Sequence, residues 1–245
     1  GSVRAASLVN QGIPPGCEVV TSADAVCSLV QPGESALVIG GPGLCDALTE
    51  HGAQPTPAAE ADPAPLVSLA SARAGASPIS DADPTGMSPG TGFDVVVVGL
   101  SRGFDYRQLD AAAAAVRAGA RLLATNDDAT FPGADGIHPG AGSVLAAVEA
   151  ASQETALVAG KPLAPMCELI VARLGLGERG SAQDRRGDVV VVGDRPETDG
   201  KLAENLGVRF ALVLSGVTGR DDLPVDEATA FLAEDLAELV ANGVT

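Results

Sequence analysis

The 245-residue sequence contains no tryptophan, and its aromatic residues amount to only 2% of the chain. Apolar residues nevertheless make up 46%, so the core must be built from Val, Leu, Ala and Ile. Long apolar runs are also missing: no stretch reaches the roughly 18 residues of a membrane-spanning helix, and no signal peptide is recognisable. A chain of this length holds one large domain or two small ones. These features predict a globular protein without a membrane partner.

Positive charge is scarce, and the formal net charge is −17. This balance argues against nucleic acid as a partner, because binding a phosphate backbone requires clustered Lys and Arg. It does not exclude a small phosphorylated substrate, which needs only a local cation.

Cysteine and histidine are too sparse to form a recognisable metal pattern. The two histidines, His51 and His138, lie far apart in the sequence, which argues against a zinc site. No C-x-x-C pair occurs among the four cysteines, which predicts reduced, mostly buried thiols and a cytoplasmic protein. The cysteines are Cys17, Cys27, Cys45 and Cys167.

Strand-like and helix-like segments alternate along most of the chain, which is typical of an α/β protein. Residues 53–92 differ, because they hold seven of the 17 prolines and show little periodicity; we predict a loop or disordered insertion there. The predicted strands cover residues 19–22, 36–39, 94–99, 121–126, 189–192 and 211–214. The predicted helices cover residues 3–12, 23–30, 44–51, 106–117, 140–151, 165–174, 201–206 and 226–242.

Two partial motifs suggest chemistry that their surroundings do not support. The glycine-rich segment Gly40–Gly43 follows a strand, but it lacks the G-x-G-x-x-G spacing and the later acidic residue of a dinucleotide site. The segment Asp81-Ala82-Asp83-Pro84-Thr85 resembles the D-x-D motif of aspartyl-phosphate enzymes, but no strand precedes it to align a nucleophile. We expect a tight turn at the first segment and no nucleophile at the second.

The most informative stretch begins with four consecutive valines, Val189–Val192, which predict a strand buried on both faces. Gly193 ends the run, so Asp194 follows the carboxyl end of a strand, where open parallel sheets bind ligands. Asp194 and the nearby Asp199 offer oxygen ligands that suit Mg²⁺. The alternative is that Asp194 and Thr198 only cap the following helix.

Several motifs occur in order along the chain. They are Asn126-x-Asp128 with Pro132, Gly160-Lys161-Pro162, Gly193-Asp194-Arg195-x-x-Thr198-Asp199, and Leu214-Ser215-Gly216-Val217-Thr218. This set closely resembles the haloacid dehalogenase (HAD) superfamily, class IIA, in the group of phosphatases related to p-nitrophenyl phosphatase and phosphoglycolate phosphatase. The resemblance covers nearly the whole chain apart from residues 53–92. It implies an α/β fold with a Rossmann-like core and a large inserted α/β cap.

The resemblance also implies a division of the chain into three parts. Residues 1–20 would be a residual part of the core, residues 21–155 the cap with its insertion at 53–92, and residues 156–245 the C-terminal part of the core. A homodimer through the cap is a further expectation from the resemblance.

Six residues receive roles from this resemblance. Asp194 would bind Mg²⁺, and the catalytic residue Lys161 would hold the phosphoryl group and the nucleophilic carboxylate. Asp199, also catalytic, would support the metal's water shell or orient the lysine. The substrate-facing loop of the cap would carry Asn126, Asp128 and Thr130. For these three residues the alternative is a turn held by Asn and Asp side chains.

The chain departs from the family pattern near its start. Family members begin with a strand ending in Asp-x-Asp-Gly, whose first Asp attacks phosphorus, and then a strand ending in Thr-Asn-Asn; neither motif is found here. We therefore expect the N-terminal core strands to be missing, either because the sequence is a fragment, because another chain supplies these strands, or because this is a non-catalytic relative. We expect no turnover by this chain alone, because no aspartyl-phosphate can form.

Three functions are compatible with these patterns. The first is a Mg²⁺-dependent phosphatase of small phosphorylated metabolites. The second is a non-catalytic phosphate-ligand binding or regulatory protein on the same scaffold. The third is a dinucleotide-binding oxidoreductase that uses Gly40–Gly43, although its fingerprint is incomplete.

Overall fold

A computed structural model describes residues 18–61, 92–133, 135–223 and 229–242. The predicted helix at 3–12, the segment Asp81–Thr85 and most of the predicted insertion lie outside these described residues. The chain divides into two compact units, one of residues 26–159 and one that joins the residues up to 25 with those from 160 onward. No helix within the described ranges is long and apolar enough to cross a bilayer.

The described strands of the unit of residues 26–159 are β1 (Ser35–Ile39), β2 (Gln54–Pro57), β3 (Val95–Val98), β4 (Arg121–Ala124), β5 (Thr130–Gly133), β6 (Gly136–Pro139) and β7 (Leu157–Val158). They form a parallel sheet that is five-stranded in its described part, with the order β2-β1-β3-β4-β7, and a separate β5–β6 hairpin. The helices are α1 (Ser22–Cys27), which crosses the unit boundary, α2 (Pro42–His51), α3 (Tyr106–Arg117) and α4 (Ala141–Ser152).

Local sequence explains why these elements form. An alanine run favours the interior of α3, and the Asp105 side chain caps its first turn by accepting from the Gln108 backbone N–H at 2.9 Å. The alanines of α3 and the apolar face of α4 then pack against β3 in one hydrophobic cluster. In the centre of the sheet, all four valines of β3 are 0% exposed.

The described helices and strands of the other unit are α5 (Ala164–Leu174), β8 (Val190–Gly193), α6 (Lys201–Leu206), β9 (Arg209–Val213), β10 (Thr229–Ala233) and α7 (Leu236–Asn242). Its parallel sheet is three-stranded in its described part, with the order β10-β9-β8. The middle strand β9 alternates its side chains between two small clusters, with Ala211 and Val213 in one, and Phe210 and Leu212 in the other.

The predicted α/β class with a parallel sheet is confirmed, and most predicted strands and helices occur within a few residues of their expected bounds. One expectation about burial is wrong. The strand at Val190–Gly193 is only half-buried, and Val192 is 38% exposed. The reason is that β8 pairs with β9 alone among the described strands.

Two secondary-structure predictions are also wrong. The predicted helix at 226–242 is a strand, β10, followed by the shorter helix α7, because residues 229–233 pair in parallel with β9. The predicted strand at 19–22 is absent: α1 begins at Ser22, and the backbone N–H and hydroxyl of Thr21 both donate to the Asp24 carboxylate. The hydrogen-bonding side chains of Thr21 and Asp24 favour a helix start.

The predicted strands did not include the short strand β7, the β5–β6 hairpin or β2, which lies within the segment 53–92 that was predicted to be a loop or disordered. Strand β2 contains Pro55 and Pro57, which favour a break in a strand, yet it lies at the edge of the described part of the sheet, where missing N–H donors are tolerated. Two further backbone bonds continue the pairing at the ends of β2. The Gln54 N–H donates to the carbonyl of Glu34, the residue before β1, and the Ala58 N–H donates to the Val38 carbonyl of β1, both at 2.8 Å.

Candidate active site

Lys161 and Asp199, 38 residues apart in the sequence, contact each other directly. The Lys161 ammonium donates to Asp199 Oδ1 at 2.6 Å. The Asp199 side chain is 7% exposed and the Lys161 side chain 46% exposed, so a buried carboxylate holds an ammonium that still reaches solvent. An ammonium has three N–H donors, and this contact engages one of them.

The second carboxylate oxygen of Asp199 is also held. Oδ2 accepts the backbone N–H of Arg195 at 3.2 Å. This contact depends on a π-helical turn at Pro196–Gly200, which brings the Asp199 backbone N–H to the Arg195 carbonyl at 2.7 Å. The carboxylate therefore has a fixed orientation, with one oxygen on the backbone and the other on the lysine.

Gly193 leaves the space that the Asp199 side chain occupies. A Cβ built on Gly193 would overlap the Asp199 carboxyl group and its Cβ, so any larger residue at this position has to displace Asp199. The glycine that ends β8 is therefore a steric requirement for the Lys161–Asp199 contact.

Asp194 is fixed in the same way by the loop that follows β9. Its Oδ2 accepts the Val217 N–H at 2.7 Å, and its carbonyl accepts the Thr218 N–H at 3.2 Å. A Cβ on Gly216 would overlap the Asp194 carboxylate. The alternative that Asp194 and Thr198 cap α6 is not seen, since the residue before α6 is Gly200 and no side chain caps this end.

The donor set of these residues fits a magnesium ion that has further ligands. Asp194 presents a fixed, half-buried carboxylate at the end of a strand, and Mg²⁺ is commonly held by one or two carboxylates, with water and substrate phosphate in the remaining positions. Both oxygens of Asp199 already accept hydrogen bonds. In the described parts of the chain, no three His, Cys, Asp or Glu side chains group together to hold a metal ion.

The predicted substrate residues lie in the unit of residues 26–159, at the start of the β5–β6 hairpin. Asn126 Nδ2 donates to Asp128 Oδ2 at 3.4 Å, and Thr130 is exposed. The loop is held against the first turn of α4: the Gly142 N–H donates to the Asp128 carbonyl at 2.9 Å, and the Ser143 hydroxyl donates to the Ala129 carbonyl at 2.7 Å. These two donors in the first turn of α4 therefore bind protein oxygens.

Sequence reasoning assigned no role to Gly193, Gly216 or Asn205, although each contacts a predicted site residue or its turn. The two glycines stand within the quoted motifs, and the signal for Gly193 is its place directly before Asp194. For Asn205, whose amide reaches the Pro162 carbonyl at 2.7 Å, no motif in the sequence gives a signal.

Comparison with known proteins gives one consistent result. Residues 158–239 match the family model described as HAD-hydrolase-like. The D-glycerol 3-phosphate phosphatase of Mycobacterium tuberculosis is 32% identical over 232 residues, which are 91% of this chain and 54% of that protein. The chain spans about half the length of the curated relatives that it matches first, 54% and 46%.

Solved structures agree with this result. The glycerol phosphate phosphatase from Mycobacterium tuberculosis in complex with magnesium has 30% identity and a TM-score of 0.69, over 96% of this chain and 62% of that one. The p-nitrophenyl phosphatase from Archaeoglobus fulgidus, at 22% identity, shares the fold, with a TM-score of 0.72 over 98% of this chain and 81% of that one.

Proposed function

Because the chain belongs to the haloacid dehalogenase superfamily, we propose that the complete protein is a Mg²⁺-dependent phosphatase of small phosphorylated metabolites. The observation that carries the proposal is the Lys161–Asp199 contact at 2.6 Å, formed beside the strand end that presents Asp194. We further propose that the unit of residues 26–159 is the cap and that the unit from residue 160 onward belongs to the catalytic core.

Lys161 binds the phosphoryl group in this proposal. Phosphoryl transfer depends mostly on positioning and on neutralising charge at the phosphoryl oxygens. The half-exposed Lys161 ammonium has donors left after its bond to Asp199, and Asp199 keeps it in one place. Asp199 therefore acts on the substrate through Lys161.

Asp194 would hold the Mg²⁺ ion together with ligands from outside the described residues. When bound, Mg²⁺ supplies positive charge that neutralises the phosphoryl oxygens. The Val217 N–H and the space left by Gly216 keep the Asp194 carboxylate in one orientation. This arrangement predefines the metal position, which a flexible carboxylate would not do.

The nucleophile is the part that these residues do not provide. Family members use an aspartate at the end of a strand, and no strand of the described residues ends in Asp-x-Asp. We propose that the 245-residue chain alone does not turn over substrate, and that activity requires the polypeptide that carries the nucleophile.

The substrate class follows from the loop at Asn126–Thr130. An amide, a carboxylate and a hydroxyl suit a substrate with several hydroxyl groups, and the backbone bonds to α4 hold this loop in one conformation. We propose a sugar phosphate or polyol phosphate. Relatives support this class, since they include the D-glycerol 3-phosphate phosphatase and a sugar phosphatase from Bacillus subtilis.

The test uses p-nitrophenyl phosphate and glycerol 3-phosphate with Mg²⁺. It compares the 245-residue chain with the same chain joined to N-terminal core strands that carry the nucleophile, which we call the full-length protein. We expect turnover by the full-length protein only. In that protein, Lys161→Ala and Asp194→Asn should each lower kcat/KM by about 100-fold to 1000-fold, the usual loss when one charge-stabilising group is removed.

Lys201→Ala is the matched control. Lys161 and Lys201 are the only lysines in the sequence, and the Lys201 ammonium binds the exposed Glu204 carboxylate at 2.7 Å, so its loss should leave kcat/KM unchanged. Turnover by the 245-residue chain would refute the proposed need for a further nucleophile. A full-length protein that binds phosphate without hydrolysing either ester would favour the non-catalytic alternative.

A further inference from the structure

Lys161 belongs to a tight turn whose backbone is anchored by other residues. The turn is closed by the Leu163 N–H, which donates to the Gly160 carbonyl at 3.0 Å. Within it, the Pro162 carbonyl accepts from the Asn205 side-chain amide at 2.7 Å and from the Cys167 thiol at 3.4 Å. Burial raises the pKa of the Cys167 thiol, and Glu168 adds to this effect, so the thiol remains a donor at neutral pH.

Asn205 joins three segments of the chain. It lies in the last turn of α6, the helix that directly follows the π-helical turn carrying Asp199. Its side chain binds the turn of Lys161. Its own carbonyl accepts from the Arg179 guanidinium at 2.6 Å, which ties the connection between α5 and β8 to the same point.

We propose that Asn205 is a positioning residue for Lys161, which fixes the backbone of the lysine turn to the segment whose Asp199 fixes the lysine ammonium. The inference deepens the proposed function, because the role of Lys161 in binding phosphate rests on that function. We assign Asn205 itself no contact with substrate or metal.

The physical reason is the flexibility of lysine. A lysine side chain has a four-carbon stem with several rotatable bonds, so a bond to the ammonium alone leaves the position of the turn free to vary. A second bond at the base of the side chain removes this freedom. Both bonds originate from one rigid stretch, Asp199 to Asn205, so the ammonium and the turn keep a constant relation to each other.

The experiment measures how fast Lys161 reacts with acetic anhydride in the native 245-residue chain. Only two lysines are present, and each can be followed separately by mass spectrometry of its peptide. In Asn205→Leu, which keeps the size but removes the donor, we expect Lys161 to react about threefold faster, as expected for losing one hydrogen bond. Asn205→Gln retains the amide and should restore most of the protection.

Lys201 gives the internal control, because its side chain is 52% exposed, close to Lys161 at 46%, and it is also paired with a carboxylate. Glu204→Ala, on the same helix, should accelerate Lys201 and leave Lys161 unchanged. An unchanged Lys161 rate in Asn205→Leu would overturn the inference. Equal acceleration of both lysines would also overturn it, because it would show a general loosening of the fold. If Asn205→Leu does not fold, Asn205→Ser replaces it and is judged by the same rates.

A second measurement separates this inference from the proposed function. The dissociation constant for inorganic phosphate with Mg²⁺ is measured in the full-length protein, where Asn205→Leu should raise it about fivefold, an effect of similar origin. Phosphate binding that resists Lys161→Ala would refute the proposed role of Lys161, while a changed Lys161 reactivity would still support positioning by Asn205. Loss of binding in Lys161→Ala with no effect in Asn205→Leu would overturn the inference alone.

Discussion

The hexapeptide Asp-Val-Val-Val-Val-Gly occurs twice in this chain, at residues 94–99 and 188–193. In the first copy the valines form β3, between β1 and β4, and all four are 0% exposed. In the second copy they lead into β8, which pairs with β9 alone among the described strands and leaves Val192 38% exposed. Identical residues thus give a strand in both places, but the neighbouring strands decide how deeply each is buried.

The glycine that ends each copy shows a second difference. Gly99 faces the side chains of Leu44 and Thr125, and Gly193 faces the Asp199 carboxyl group. The first copy supports a hydrophobic core, whereas the second supports the candidate active site. The same local sequence therefore packs against core side chains in one sheet and makes room for a candidate site residue in the other, because different side chains lie across from its glycine.

The largest effect is expected at the glycines. Neither has a positive φ, so backbone strain does not distinguish them. Gly193→Ala forces Asp199 to move and should lower the free energy of unfolding by about 2–3 kcal/mol, as overpacking does, and reduce kcat/KM of the full-length protein at least about tenfold. In Gly99→Ala the new Cβ lies 3.1 Å from Leu44 Cδ2 and 3.3 Å from Thr125 Oγ1.

Because side-chain atoms of Leu44 can shift by a few tenths of an ångström, Gly99→Ala should change stability by less than about 1 kcal/mol. Thermal unfolding measures the change in stability, and steady-state kinetics measure the change in kcat/KM. Equal loss of activity in the two variants would show that the second copy has no special relation to the site.

The valines at the fourth position of the run give a smaller effect. Val98→Thr places a hydroxyl in a fully buried, apolar position and should cost about 1–2 kcal/mol, the usual penalty for a poorly satisfied polar group. Val192→Thr, at the half-exposed position, should stay within about 0.5 kcal/mol. Threonine matches valine in shape, so the difference between the melting temperatures of Val98→Thr and Val192→Thr reports burial rather than volume. Similar losses at both positions would mean that β8 is covered in the folded protein.

The fold class was predictable from the sequence because strand and helix periods depend on local residues. The last predicted helix shows where this fails. Residues 229–233 carry apolar side chains at spacings compatible with a helix, and they form β10 because β9 offers a parallel edge. The predicted burial of β8 was wrong for a similar reason, since burial depends on strands that lie elsewhere in the sequence.

Part of the candidate site could be predicted from the sequence. Lys161 and Asp199 were predicted as parts of one site, and in the structure Lys161 Nζ lies 2.6 Å from Asp199 Oδ1; their roles remain proposals. The contact of Asn205 with the lysine turn could not be predicted, because an exposed asparagine near a helix end is typical of any protein surface. Contacts between segments 43 residues apart, such as Asn205 with Pro162, leave no local pattern in the sequence.

The aspartates that begin the two copies should give the smallest effect, and it should depend on pH. Asp94 Oδ2 accepts the Ser35 hydroxyl at 2.6 Å and the Ser35 backbone N–H at 2.8 Å, and these bonds lower the pKa of the Asp94 carboxyl below its ordinary value of 3.8. A lowered folded-state pKa stabilises the protein above the unfolded pKa, and this stability is lost as the pH falls through the folded value. Asp94→Asn should therefore lower stability at pH 7, by less than about 1 kcal/mol because the group is exposed to solvent, and the difference from the native chain should shrink below pH 3.8.

Asp188 is the matched control. It lies 3.9 Å from the Arg185 guanidinium, and both side chains are exposed, so Asp188→Asn removes a weak surface ion pair. We expect a smaller change in melting temperature at pH 7 for Asp188→Asn than for Asp94→Asn. A difference between the Asp94→Asn and native melting temperatures that is constant from pH 7 to pH 3 would show that the Ser35 bonds do not favour the charged carboxylate. The two copies would then differ only at their valines, which the sheet order buries to different depths, and at their glycines, of which only Gly193 faces Asp199.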